Sequence, residues 1–412
     1  MSTAPALFQP IRVGDLDLSH RVVLAPLTRF RADDKHVPLP DLVAEYYAQR
    51  GSIPGTLLIT EATFIAPQAG GYPNVPGIWS EEQIQGWKKV QDCPDILLYN
   101  VTEAVHAKGS YIYLQLWALG RSAPPKALAE ELETTPGSPS PYVGASSIPL
   151  STRPATDPLP RPLTESEIAE YVELYAQAAE NAVKLAGFDG VEIHGANGYL
   201  IDQFLQDVSN NRTDGYGGSV KNRTRFALEV IDAVVQKVGA SKTALRLSPW
   251  NPYSDMGMKD PVPTYSYLIS QIVERHPDLA YIHAVEKRLI NSEQAQAISA
   301  TAEFANEGSE NDFIRNLWSS DGKRRFIAAG GYTLETGVKT AEKKGDLVAF
   351  GRHYISNPDL PFRLKNALEI QKGDRSTYYS QGKADPKGYT DYPFSDEFAR
   401  ENPKAVAVSS QT

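Results

Sequence analysis

Eight short apolar runs, rich in β-branched and aromatic residues, recur along the chain with amphipathic stretches between them. They are VVLAPL (22–27), LLITEAT (57–63), YIYLQLW (111–117), GVEIHGA (190–196), TALRLSP (243–249), LAYIHAVE (279–286), RFIAAGGY (325–332) and LVAFGRHYI (347–355). Strands that are apolar almost throughout are buried on both faces, which is the situation of a parallel sheet covered by helices. Eight of them alternating with helical periodicities predict an α/β fold, a single (β/α)8 TIM barrel rather than an open doubly wound sheet. The clearest helix is TESEIAEYVELYAQAAENAVKLAG, which Thr164 and Glu167 open as a capping box and Gly187 closes. A barrel with insertions accommodates all 412 residues, so the expectation is one domain spanning 1–412.

Three segments depart from a minimal barrel. Residues 118–163 are proline-rich and form an insertion after the third strand, on the face where barrels place substrate, so they should wall the pocket. Residues 91–101 interrupt a helical pattern at Pro94, which predicts a surface insertion there. Residues 371–412, rich in Tyr, Gly and polar side chains, should wrap the barrel as a C-terminal tail.

A net charge of −9 is the wrong balance for nucleic-acid binding, which needs concentrated Lys and Arg. Cys93 is the single cysteine, so an internal disulfide and a cysteine-based zinc or iron–sulfur site are ruled out, and no metal site is expected. The N-terminal MSTAPALFQP is not built like a secretory signal, and no apolar stretch reaches 18 residues. The expectation is a cytoplasmic protein, without membrane partners, acting on small molecules.

In a parallel barrel the C-terminal strand ends share one cavity. The last polar residue of each strand gives Thr28, Glu61 or Thr63, Gln115, His194 followed by Asn197 and Tyr199, Arg246, Gly330–Gly331 and Gly351–Arg352. Alternation along GVEIHG puts Glu192 and His194 on one face, with Glu192 one layer deeper. His194 and Asn197 can converge as donors on one carbonyl oxygen, where each donor is worth roughly a hundredfold in rate if charge develops. Tyr199 can then supply a proton to an adjacent carbon. The same three residues equally suit a strand-end His bound to backbone, a turn Asn and a packed Tyr. Glycine pairs closing strands seven and eight, with Arg352 beside them, suit a phosphate and so a phosphorylated cofactor. Arg246 needs an acceptor inside the mouth; an ion pair with Glu192 is the internal alternative.

The segments LFQPIRVGDLDLSHRVVLAPLTRFRA, ITEAT, AVHAKGSYIYLQLWALGR, GFDGVEIHGANGYLIDQFLQDVSNNRTDGYGGSVKNRTRF, LRLSP, AAGGY, FGRHYISNPDLPFRLK and GYTDYP resemble the old yellow enzyme family of FMN-dependent ene-reductases over nearly the full length. The resemblance implies tightly but non-covalently bound FMN at the barrel mouth. It places Pro26, Leu27 and Ala62 near the isoalloxazine, Thr28 at flavin O4, Gln115 at the pyrimidine edge and Arg246 near N1 and O2. Gly330, Gly331, Gly351 and Arg352 would hold the phosphate, and Trp117 and Tyr379 would shape the substrate pocket. It makes His194 and Asn197 the donors to the carbonyl of an α,β-unsaturated substrate and Tyr199 the proton donor, with hydride from flavin N5 and NADPH as reductant. Enones, enals, nitroalkenes and phenolic ligands are the implied small-molecule partners of a monomer or homodimer. HAVEKRL lacks a Pro that many relatives carry between Glu286 and Arg288, and the 91–101 insertion is absent from relatives. Competing readings are a family-related isomerase, a flavin protein without turnover, and a barrel glycoside hydrolase using Glu61 and Glu192.

Overall fold

A computed structural model describes residues 4–88, 101–133, 140–286 and 311–403. Eight parallel strands close into a barrel: β1 (Val22–Leu24), β2 (Leu57–Phe64), β3 (Tyr111–Trp117), β4 (Gly190–Gly195), β5 (Thr243–Leu247), β6 (Tyr281–Val285), β7 (Phe326–Ala329) and β8 (Leu347–Phe350). Neighbours in sequence are neighbours in the sheet, and β8 pairs with β1 through Val348–Val22, Ala349–Val23 and Phe350–Leu24. Seven of the strands lie inside one of the eight apolar runs and β2 exceeds its run only by Phe64, so the (β/α)8 expectation holds. The last run overreaches: Gly351 breaks extended geometry at φ −98° and ψ −94°, and Arg352–Ser356 turn into a short helix.

Burial follows the alternation. Val191 and Ile193 join the outer apolar layer beneath the helices, which include Glu165–Glu180, Val220–Val238 and Val262–Arg275. The floor of the barrel is a second layer, in which Val13, Leu16 and Leu18 of an N-terminal hairpin pack against Val23, Leu57, Ile59, Tyr113, Tyr281, Ile327 and Leu347. The hairpin turns at Gly14 (φ +52°), where a methyl group would lie 2.1 Å from the Ser241 carbonyl oxygen, so only glycine fits.

The Thr164–Glu167 capping box is formed, with the Glu167 N–H donating to Thr164 Oγ1 at 3.2 Å and the Thr164 N–H to Glu167 Oε2 at 2.8 Å. Strand β2 carries a bulge, its register against β3 shifting between Ile59 and Ala62. A bulge changes which residues face inward beyond it.

Between β3 and the Glu165 helix, the proline-rich stretch contributes a helix at Pro125–Glu131 and a small two-stranded sheet, Val143–Gly144 with Arg161–Pro162. Its Tyr142 packs in one cluster with Ala62, Phe64, Trp117 and Leu119. At the other end of the chain, residues 371–403 cross back over the β1 loop. Arg29 donates to the carbonyls of Tyr378 (3.0 Å) and Gly388 (2.7 Å), Arg31 to that of Ser380, and Arg50 to that of Tyr389 (3.0 Å). The expected insertion at 91–101 lies outside the described residues except for Val101, which starts a helix ending at His106. The loop of HAVEKRL beyond Glu286 also lies outside them. No helix among the described residues is long and apolar enough to cross a membrane.

Candidate active site

The strand register decides which polar side chains meet inside the barrel. Gln115 stands opposite Ala62 on one side and Glu192 on the other, while Arg246 stands between His194 and His283. Below the rim the Glu192 carboxylate accepts from Gln115 Nε2 at 2.6 Å and from His283 Nδ1 at 2.8 Å, all three side chains being buried. Burial alone would raise the Glu192 pKa, but the His283, Arg246 and Gln115 contacts outweigh it and hold the carboxylate below its ordinary range. Arg246 makes neither a hydrogen bond nor an ion pair among the described residues, and its Nε is buried without a partner. Burial works against its charge and Glu192 is the chief offset.

The stretch HGANGYL is fastened atom by atom. His194 Nδ1 accepts from the Ala196 N–H at 3.3 Å, which assigns the ring proton to Nε2. Burial, with Arg246 and His283 nearby, holds the imidazole pKa far below its ordinary value, so His194 is a neutral donor. Asn197 sits in the left-handed region at φ +58°; its N–H donates to Ser248 Oγ at 2.7 Å and its Oδ1 accepts from Asn251 Nδ2 at 2.8 Å. Asp202 Oδ2 takes the Gly198 N–H at 2.8 Å, and Tyr265 and Gln206 brace the other oxygen of that carboxylate. The Tyr199 ring meets Trp117 and His194 edge-on, with centroids 4.8 Å and 5.0 Å away. Burial pushes its phenol well above the ordinary pKa of 10, so it is a protonated hydroxyl at neutral pH.

The other expected site residues gather at the same end. Pro26, Leu27 and Thr28 are half-buried just beyond β1, and Ala62 is buried in β2. Gly330 and Gly331 follow β7 at φ +157° and +76°, and Gly351 follows β8. Added methyl groups would press on Glu286 Cβ (3.2 Å) at Gly330 and on Leu27 Cδ2 (3.2 Å) at Gly351. Arg352 is exposed at the head of its short helix. Trp117 stacks between Phe64 (5.1 Å) and His194 (6.3 Å), with a buried Nε1 that has no partner among the described residues. Tyr379 projects from the C-terminal segment, edge-on to Phe30 at 6.0 Å. A half-buried guanidinium whose buried Nε has no acceptor among the described residues, at the same barrel end as glycines where an added methyl group would be tight, fits an acceptor-rich, phosphate-bearing flavin.

One sequence expectation needs correcting, and two alternatives weighed against it fall away. Neither Glu61 nor Thr63 reaches the mouth: after the bulge Ala62 aligns with Gln115, while Glu61 Oε2 turns to accept the N–H groups of Arg29 (3.0 Å) and Phe30 (3.1 Å). Arg246 does not pair with Glu192, whose oxygens are taken by Gln115 and His283. Gln115 therefore keeps its carbonyl and its second amide N–H for another partner. With Glu61 1% and Glu192 0% exposed, the hydrolase pair is not presented to solvent. Sequence reading passed over Ser248, Asn251 and His283; alternation from Tyr281 through His283 carried a signal for the last alone.

A model of the NADH:flavin oxidoreductase / NADH oxidase family matches residues 6–371. The chain belongs to the old yellow enzyme family of flavin oxidoreductases. Its similarity to a chanoclavine-I aldehyde reductase from Penicillium roqueforti is 48% identity over 96% of this chain and 98% of the relative. A relative from Epichloe festucae var. lolii named as a probable inactive reductase is 45% identical over 99% and 100%. Among solved structures, an old yellow enzyme from a Pichia species superposes with a TM-score of 0.80 at 36% identity, covering 95% of this chain and 94% of the other. Old yellow enzyme relatives named as reductase and as inactive thus stand at nearly equal identity, so the reading of activity rests on site chemistry.

Proposed function

We propose that this protein is an FMN-dependent ene-reductase that takes hydride from NADPH and reduces the activated C=C of α,β-unsaturated carbonyl compounds and of nitroalkenes. One observation carries the reading: the acceptor atoms of His194 and Asn197 are both occupied by the protein itself, at Nδ1 and Oδ1, so each side chain has only donors to offer. Two neutral donors converging on one oxygen would suit a carbonyl on which charge accumulates, because they need no reorganisation as it does so.

FMN, when bound, supplies hydride to the β-carbon of the substrate. Arg246 and Gln115 would face its pyrimidine edge, Pro26, Leu27, Thr28 and Ala62 its rings, and Gly330, Gly331, Gly351 and Arg352 its phosphate. His194 and Asn197 hold the carbonyl oxygen and stabilise its growing negative charge. Tyr199 delivers a proton to the α-carbon; a phenol of raised pKa is a poor acid in water but matches a strongly basic carbon. Trp117 and Tyr379 limit the rest of the cavity. The aldehyde named for the Penicillium roqueforti relative supports a carbonyl-bearing substrate here, and the family description supports a nicotinamide donor.

The test is anaerobic. NADPH, compared with NADH, should bleach the flavin of the purified protein, and cyclohexenone, an enal, a maleimide or a nitroalkene should restore its colour while yielding the saturated product. Bleaching without reoxidation by any of them would sink the reading, and a rearranged, unreduced product would point to an isomerase.

A further inference from the structure

We propose that Asn251 is a positioning residue that dictates which end of the Asn197 amide faces the substrate. The proposal rests on the carbonyl-binding role of Asn197 given above. The two ends of a carboxamide are nearly identical in shape and opposite in hydrogen bonding, so an unrestrained Asn could present oxygen to a carbonyl as readily as nitrogen. Here the choice is made one residue back. The Tyr253 N–H donates to Asn251 Oδ1 at 3.1 Å, which leaves Asn251 Nδ2 as the end that meets Asn197. That nitrogen donates to Asn197 Oδ1 at 2.8 Å, which leaves Asn197 Nδ2 for the pocket. Ser248 Oγ anchors the Asn197 backbone at 2.7 Å, so main chain and side chain of Asn197 are both held from the loop after β5.

That loop is itself braced. Ser254 and Asp255 adopt left-handed backbone at φ +59° and +55°. Such strain persists only where the surroundings enforce it. Arg121 donates to the Ser254 carbonyl at 3.0 Å, and the Asp255 carboxylate accepts from the Ser151 hydroxyl at 2.6 Å and from the Ser151 N–H. Both clamps come from the stretch between β3 and the Glu165 helix. The proline-rich insertion therefore fixes the β5 loop, the loop fixes Asn251, and Asn251 fixes the donor.

Asn251→Asp keeps the shape and removes the donor. The Asn197 amide should then turn its nitrogen to the new carboxylate and show oxygen to the ligand. With holoenzyme and 4-chlorophenol as probe, titrated through its long-wavelength absorption with the flavin, Asn251→Asp should weaken binding by about tenfold or more, the worth of a hydrogen bond to a charged oxygen. In an Asn197→Ala background the same change should cost less than about threefold, because there is no amide left to turn. Asn251→Ala, which frees the amide without reversing it, should fall between parent and Asn251→Asp, and it serves if Asn251→Asp does not fold. An equal loss in both backgrounds would mean that Asp acts by charge alone and would overturn the proposal. If the phenol binds the parent no better than His194→Ala or Asn197→Ala, the carbonyl site itself is misassigned and the proposal falls with it.

Discussion

His194, Asn197 and Tyr199 could be grouped from sequence because they fall within six consecutive residues at a strand end. Tyr199→Phe should leave flavin content and reduction by NADPH near parent values, since neither uses the hydroxyl. Reoxidation by cyclohexenone should slow by roughly two to four decades. Stopped-flow traces of both half-reactions check this, and equal enone rates would remove Tyr199 from the mechanism. Glu61 was misjudged, since alternation cannot reveal a bulge, and its true task is to hold two backbone amides of the β1 loop. Burial lifts its pKa to about 7, above the ordinary 4.5. A carboxyl whose folded pKa is raised binds its proton more tightly when folded, so its contribution falls as pH climbs from about 4.5 to 7 and stays low above that. Glu61→Gln can still accept both amides without ever ionising. Urea melts at pH 5 and pH 8 should therefore show Glu61→Gln gaining on parent at the higher pH, by up to about 3 kcal/mol. No gain would place the Glu61 proton elsewhere. Asn251 left no trace in the sequence because its partner is 54 positions away.

At the level of elements, strand positions were legible because apolar runs buried on both faces have no other good explanation, whereas their ends were not. The eighth run kept its apolar pattern through Tyr354 and Ile355, and only the backbone reversal at Gly351 separates strand from helix. The helix from Glu165 shows the opposite case, in which local signals sufficed. Its Glu167 serves twice, closing the capping box and pairing with Arg161 at 2.6 Å, and that pairing lowers the Glu167 pKa to about 2. Thr164→Ala removes the cap oxygen and should cost about 1 kcal/mol in a urea melt at neutral pH. A change below about 0.3 kcal/mol would show that Arg161 alone holds the helix entry.

Across the whole molecule, buried arginines rather than apolar packing alone fasten the last segment to the first. Arg50 is fully buried, stacks on Tyr46 at 3.6 Å and donates to the carbonyls of Tyr46 (3.1 Å), Tyr354 (3.2 Å) and Tyr389 (3.0 Å). Arg50→Met keeps the stem and strands those carbonyls. Stability should fall by about 3 to 5 kcal/mol, and limited proteolysis should cut first within 371–403. Cleavage elsewhere first would show that the segment is held by other means. Such long-range fastening is invisible to a reading that works outward from neighbours. It also has a bearing on the order of events at the ribosome. The acceptors of Arg29 lie 349 and 359 positions downstream. At roughly 5 to 20 residues per second, the loop carrying Thr28 waits some tens of seconds for the chain that will secure it. Until then the nascent protein has the early strands of a barrel that cannot close, and a chaperone able to shield unpaired strand edges over that interval should raise the yield of flavin-loaded protein.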